Sequence, residues 1–159
     1  MAHLPKLEKA FKTSNCTETG SLAKRLSLLL KCGDLIMLKG ELGVGKTAFA
    51  RALIQELSHK KEEVVSPTFT LVQVYDTPTF QIYHYDFYRI QRFEEIEELG
   101  FEEAVASGVV LVEWPCRLED NVPQLRLEIE IKQGVKIDDR DVQFFGDETW
   151  AQRIKQEFN

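Results

Sequence analysis

Leu35-Ile36-Met37-Leu38-Lys39-Gly40-Glu41-Leu42-Gly43-Val44-Gly45-Lys46-Thr47 decides the fold. The run Leu35 to Leu38 is nearly all apolar, as in a strand buried on both faces. It leads directly into glycines and then into an amphipathic segment with Phe49, Leu53 and Leu57 at helical spacing. Strand, glycine loop and helix form the opening half of an α/β unit. Gly40 to Thr47 also fits G-x-x-x-x-G-K-[ST], a spacing that chance produces in fewer than about one in a hundred chains of this length. The glycines let successive backbone N–H groups point inward as an anion nest, and the helix starting near Lys46 aims its positive end at the same place. Lys46 adds a point charge for β and γ phosphates, and the Thr47 hydroxyl suits Mg²⁺.

Such a loop needs a carboxylate at the end of a neighbouring strand to hold magnesium and orient water. Two candidates stand out. Glu113 ends the buried-type run Val109 to Val112, where a carboxylate is costly unless a cation balances it; the alternative is an ordinary strand-end surface acid. Asp86 lies in Tyr83-His84-Tyr85-Asp86-Phe87-Tyr88, where period two puts His84, Asp86 and Tyr88 on one face and the other aromatics opposite. Its alternative is a structural hydrogen bond to Tyr88 or Arg89, and His84 reads more readily as a structural imidazole than as a base. Ser66-Pro67-Thr68 falls where related hydrolases carry a γ-phosphate-sensing loop, although the same residues make a plain turn. Trp114 either stacks on something outside the sheet or covers the core edge.

Working outward, Leu22, Leu26, Leu29 and Leu30 mark a helix from about Glu18, with cap candidates in Ser14, Asn15 and Thr17 and a stop at Gly33. Phe69–Tyr75 and Phe80–Phe87, separated by Asp76-Thr77-Pro78-Thr79, predict an antiparallel hairpin. An acidic-faced helix follows at Phe93 to Leu99, then a short helix after Gly100, then the Val109 strand. Leu125 to Ile131 alternates as a half-exposed strand, Val142 to Phe145 partners it, and Trp150, Ile154 and Phe158 mark a final helix. The first dozen residues look loose. The expectation is one α/β domain, 1–159, with a mixed parallel and antiparallel sheet of the P-loop nucleotide hydrolase type.

Composition narrows the function classes. The 159 residues include 43% AVILMFWYC, enough for one hydrophobic core, and 20 Lys plus Arg against 26 Asp plus Glu leave a formal charge of −6. That balance lacks the broad positive field of a DNA-binding protein, so any RNA is expected to be reached mainly through partners. Leu28 to Leu30 is far short of the roughly 20 apolar residues of a membrane span, so the expected location is cytoplasmic. Cys16, Cys32 and Cys116 form no C-x-x-C pair and read as reduced thiols, and His3, His59 and His84 have no zinc-ligand spacing.

Taken in order, Glu18-Thr19, GELGVGKT, SPTFTLV, YHYDFYRI, EELGFEE and VLVEWP resemble the bacterial TsaE family, the small ATPase of threonylcarbamoyladenosine (t6A) tRNA modification. The resemblance implies a mixed-sheet P-loop fold and ATP hydrolysis in support of the TsaB and TsaD proteins. It implies Mg²⁺ ligation by Thr47 and Glu113, nucleotide binding along Glu41, Leu42, Gly43, Val44, Gly45 and Lys46 with Gly43 to Lys46 wrapping the phosphates, a catalytic part for Lys46, Asp86 and Glu113, and support of turnover by Asp86 and Trp114. It also implies that a residue near Glu18 and a C-terminal one, with Arg140 the candidate, approach the nucleotide base. Glu41, where the family more often has Asp, and Ala48, where it often has Thr, depart from the pattern without touching an implied phosphate ligand. The alternatives are a small P-loop kinase acting on a nucleoside or similar molecule, and a nucleotide-gated binding module without catalysis. A kinase needs an arginine-bearing lid, and between Lys46 and Trp114 there are only Arg51, Arg89 and Arg92, unclustered.

Overall fold

The computed structural model describes residues 4–59 and 63–159. Seven strands form one sheet: β1 (Lys6–Thr13), β2 (Leu35–Lys39), β3 (Val72–Asp76), β4 (Gln81–Asp86), β5 (Val109–Glu113), β6 (Leu127–Gln133) and β7 (Arg140–Gly146). Among the described residues five α-helices accompany them, α1 (Cys16–Ser27), α2 (Lys46–Ser58), α3 (Phe93–Glu98), α4 (Phe101–Ser107) and α5 (Glu148–Phe158), with a 3-10 helix over Pro115–Asn121. The spatial order is β1-β7-β6-β2-β5-β4-β3. The centre is parallel, with β2 between β5 and β6 and β4 beside β5, while β3, β7 and β1 pair antiparallel. The mixed sheet expected from the sequence is the one observed.

Alternation along β2 sets up two cores. Ile36 and Leu38 face Leu26, Phe49, Leu53, Ile54 and Ile154 from α1, α2 and α5. Leu35 and Met37 face the opposite layer with Tyr85, Phe87, Ile96, Phe101 and Leu118. Burying such a side chain contributes about 1.5–3 kcal/mol, so each β2 position anchors a layer. Arg153 of α5 adds a two-pronged bond to Asp34 just before β2, with Nη1 to Oδ2 at 2.7 Å and Nη2 to Oδ1 at 3.1 Å.

Several boundaries differ from the sequence reading. Residues 6–13 are not loose: β1 pairs along β7 from Lys6↔Gly146 to Thr13↔Arg140, and Phe11 packs edge-on against Phe144 and Phe158, while the start of that stretch, 1–3, lies outside the described residues. An irregularity between Leu7 and Lys9 breaks the alternation that would have marked the strand, and its lysines are typical of an exposed edge. Helix α1 starts earlier, at Cys16, because Asn15 accepts the Glu18 N–H at 2.9 Å while the Glu18 carboxylate accepts the Ser14 N–H at 2.7 Å. It ends at Ser27, well before Gly33, which turns the chain into β2 and donates to the Gly108 carbonyl. Strand β3 starts at Val72, leaving Phe69 78% exposed in the preceding loop. Strand β6 starts at Leu127, and as an interior strand it is covered more than a half-exposed strand would be. Among the described residues no helix is long and apolar enough to cross a membrane.

Candidate functional site

The end of β2 releases the chain into the 40–45 loop, which α2 closes. Gly40 has φ +153°, and a Cβ there would lie 2.6 Å from the Ile131 carbonyl oxygen, so the loop can leave the sheet this closely only without a side chain. Gly45, at φ +118°, precedes α2 as an N-cap that offers no side chain to the first-turn N–H groups. Those donors and the positive helix end therefore serve the loop's concavity. Lys46 is 4% exposed and curls back, its Nζ donating to the carbonyls of Gly40 (2.5 Å) and Glu41 (3.0 Å) and lying 3.9 Å from the Trp114 ring centroid. Burial holds its pKa below the ordinary lysine value, opposed by the negative charges of Glu113 and Asp86.

Glu113, the last residue of β5, is 2% exposed. Its Oε1 accepts the Thr47 hydroxyl at 2.8 Å, and its Oε2 lies 2.7 Å from His84 Nε2. Glu113 is thus a buried carboxylate facing two donors and not the strand-end surface acid of the alternative reading. Thr47 has one hydroxyl hydrogen, and spending it on Glu113 leaves its oxygen lone pairs free. A hydroxyl oxygen with its proton engaged, beside a carboxylate, is an oxygen donor set suited to magnesium, so Thr47 and Glu113 could hold that ion.

Asp86 pairs in register with Glu113 on the neighbouring strand but has other partners. Its Oδ1 accepts the Tyr88 N–H at 2.8 Å and its Oδ2 the Thr68 hydroxyl at 3.0 Å, with Ser66 Oγ 2.7 Å from that hydroxyl. Asp86 therefore ties the Ser66–Thr68 loop to β4, and its bond to Tyr88 matches one of the two structural partners named from the sequence. Trp114, at φ +60°, stacks against Tyr88 at 4.9 Å and against Lys46, so it lines the site as well as the core edge.

Of the clefts that border the loop, two hold most of the candidate residues. One, of about 250 Å³, is lined by Leu42, Gly43, Gly45, Lys46, Thr47, Thr68, Asp86, Glu113 and Trp114 among others. The other, of about 270 Å³, takes in Val44, Gly45, Ala48, Thr19, Asp138 and Arg140. Arg140 is fixed there by Nε donating to the Val44 carbonyl at 2.8 Å. Glu41 and Glu18 line neither of these two: Glu41 offers its backbone carbonyl to Lys46, and the Glu18 carboxylate is taken up by the α1 cap. Asn15, Cys16 and Thr19 around the α1 start line the second cleft instead, in the region that the resemblance marked only as near Glu18.

A family model described as "Threonylcarbamoyl adenosine biosynthesis protein TsaE" matches residues 13–142. The chain belongs to the TsaE family. The matched span includes both clefts, from Asn15 to Arg140. TsaE-family relatives named "tRNA threonylcarbamoyladenosine biosynthesis protein TsaE" include one from Rickettsia typhi, 44% identical over 72% of this chain and 80% of its own length. Another, from Bacillus subtilis, is 38% identical over 84% of this chain and 83% of its own length. The crystal structure of YdiB from Bacillus subtilis superposes with a TM-score of 0.79 at 31% identity, covering 98% of this chain and 95% of that one.

Proposed function

We propose that this TsaE-family chain is a magnesium-dependent ATPase that supports threonylcarbamoylation of tRNA together with TsaB and TsaD partners. The observation carrying the reading is the Thr47–Glu113 hydrogen bond at the foot of the phosphate loop, with Lys46 held on the same side. In it, the loop's backbone N–H groups and the α2 N-terminus grip the phosphates, and Lys46 exchanges the Gly40 and Glu41 carbonyls for phosphate oxygens, which are stronger acceptors for an ammonium. Thr47 and Glu113 are the ligand pair for Mg²⁺, which when bound neutralises phosphate charge and polarises the transferred phosphoryl group. Asp86 holds the Thr68 loop against the cleft and positions the attacking water there, and Trp114 with Tyr88 forms one wall that limits bulk water. The base occupies the second cleft beside Val44 and Arg140.

The whole chain, 1–159, acts as one domain in this reading, since all seven strands share one sheet. With a formal charge of −6 it leaves most tRNA contact to its partners. The deciding experiment measures ATP hydrolysis with and without TsaB, TsaD and tRNA, alongside t6A content in cells carrying Lys46→Ala. Stimulated hydrolysis and a loss of t6A are expected. Normal t6A in the Lys46→Ala strain would overturn the assignment.

A further inference from the structure

We propose that His84 is a positioning residue for the metal-binding carboxylate: its Nε2–H donates to Glu113 Oε2 and thereby fixes how Glu113 presents Oε1 beside Thr47. This rests on the reading above that Thr47 and Glu113 hold the metal.

Three observations carry it. His84 is fully buried, and Nε2 to Glu113 Oε2 at 2.7 Å is its side chain's one polar contact among the described residues, since Nδ1 has no partner. Its neighbours on that face of the sheet, Ile82 and Leu111, belong to the apolar core. An imidazole that served only to fill this space would bury an unpartnered nitrogen for no gain, where an aliphatic side chain would pack without that penalty. What the imidazole adds is directed at Glu113. A carboxylate oxygen can only accept, so Nε2 carries the proton of this bond.

Geometry explains the placement. Strands β4 and β5 run parallel with Asp86 opposite Glu113 and His84 opposite Leu111, so the imidazole sits one pleat below the carboxylate on the same face. Glu113 is then held from two sides, by His84 on Oε2 and by Thr47 on Oε1. Neither oxygen can swing away without giving up a bond in a site that water barely reaches. A partner that orients a metal ligand in this manner typically affects metal affinity by about 10- to 100-fold.

The test uses the full chain and four proteins: wild type, His84→Leu, His84→Gln and Glu113→Gln. Calorimetry measures ADP affinity in Mg²⁺ and again in EDTA, and the ratio isolates the metal-dependent gain. His84→Leu is expected to lose about 10- to 100-fold of that gain while its metal-free affinity stays at the wild-type value. His84→Gln, whose amide nitrogen reaches the position of Nε2, is expected to restore most of it. An undiminished gain in His84→Leu, an equal loss in EDTA, or a glutamine no better than leucine would each overturn the proposal. If Glu113→Gln itself keeps the full gain, the failure belongs to the metal-site reading and not to His84 alone. Should the leucine variant not fold, ¹⁵N spectra of the wild-type imidazole decide: the Nε2–H tautomer supports the proposal, and the Nδ1–H tautomer refutes it.

Discussion

Replacing Thr47 by valine keeps the side chain's shape and deletes the hydroxyl that donates to Glu113 Oε1 at 2.8 Å. Hydrogen bonds to a charged acceptor contribute about 1.5–3 kcal/mol, and Glu113 is 2% exposed, so water cannot readily replace the lost donor. For a chain of this length each kcal/mol moves Tm by about 2–4 °C, so Thr47→Val is expected to melt about 3–12 °C below wild type. The measurements are thermal melting for the shift in Tm and urea unfolding for the free energy, both at neutral pH in EDTA without nucleotide, so that no bound ligand contributes to stability. Thr47→Ser should recover most of the loss because it restores the donor. A double-mutant cycle isolates the bond. In a Glu113→Met background the acceptor is gone, and Thr47→Val should then cost less than about 0.5 kcal/mol. If the valine costs the same in both backgrounds, Thr47 and Glu113 are not coupled in solution, and the argument that the threonine's lone pairs are left free for a metal collapses.

Other perturbations test the frame around the site. Tyr85 is buried with its hydroxyl on the Leu99 carbonyl at 3.1 Å, and burial pushes its pKa up to about 12. The folded state keeps this proton after the unfolded state has lost it, so between about pH 10 and 12 stability falls by up to about 1.4 kcal/mol per pH unit. Tyr85→Phe should cost about 0.5–1.5 kcal/mol at neutral pH yet flatten that alkaline limb, and parallel pH profiles for the two proteins would contradict the raised pKa. Gly40→Ala should destabilise by about 2–4 kcal/mol, because its Cβ would meet the Ile131 carbonyl oxygen and cannot push backbone aside, whereas Gly43→Ala meets nothing within 4 Å and should cost about 1–2 kcal/mol for its φ of +78° alone; thermal melts rank the two. Backbone N–H groups of Gln91 and Arg92 hold the Glu95 carboxyl below its ordinary pKa at the start of α3. Its contribution is present above about pH 4 and is lost as pH falls through the lowered value, so a Glu95→Gln deficit seen at pH 7 should vanish in acid, and a deficit that persists there would refute the capping role.

The features legible in the sequence were those written in contiguous residues. Leu35 to Thr47 contains a buried strand, a left-handed glycine turn and a helix start side by side, and Val109 to Glu113 contains a buried strand and its terminal acid. Features that depend on distant register were not legible. Period two along β4 put His84 and Asp86 on one face, but which of them meets Glu113 follows from the β4–β5 pairing, where Asp86 lies level with Glu113 and yet turns to Thr68 and Tyr88. His84, two residues earlier, takes the carboxylate. Arg140 entered through family resemblance alone, and its nearness to Val44 depends on the β6–β7 turn folding back over the loop. Strand β1 was hidden because its irregularity and edge lysines disguise an alternation of only a few apolar residues.

Charge at the first cleft argues for the metal independently of the ligand geometry. Its lining holds one cation, Lys46, against two carboxylates, Asp86 and Glu113, within a chain that is acidic overall. Lys46 already has a reduced affinity for its proton through burial. In the proposed role a nucleoside triphosphate would bring several further negative charges into a poorly solvated space, and backbone N–H groups with one helix end would supply only partial charges in return. The side chains lining the cleft therefore carry no net positive charge to set against a polyphosphate. The carboxylate that repels a bare polyphosphate becomes an asset once a divalent ion lies between them, so Glu113 should weaken nucleotide binding in EDTA and strengthen it in Mg²⁺. Glu113→Gln would then shift the two affinities in opposite directions, a pattern that neither misfolding nor a purely structural glutamate produces.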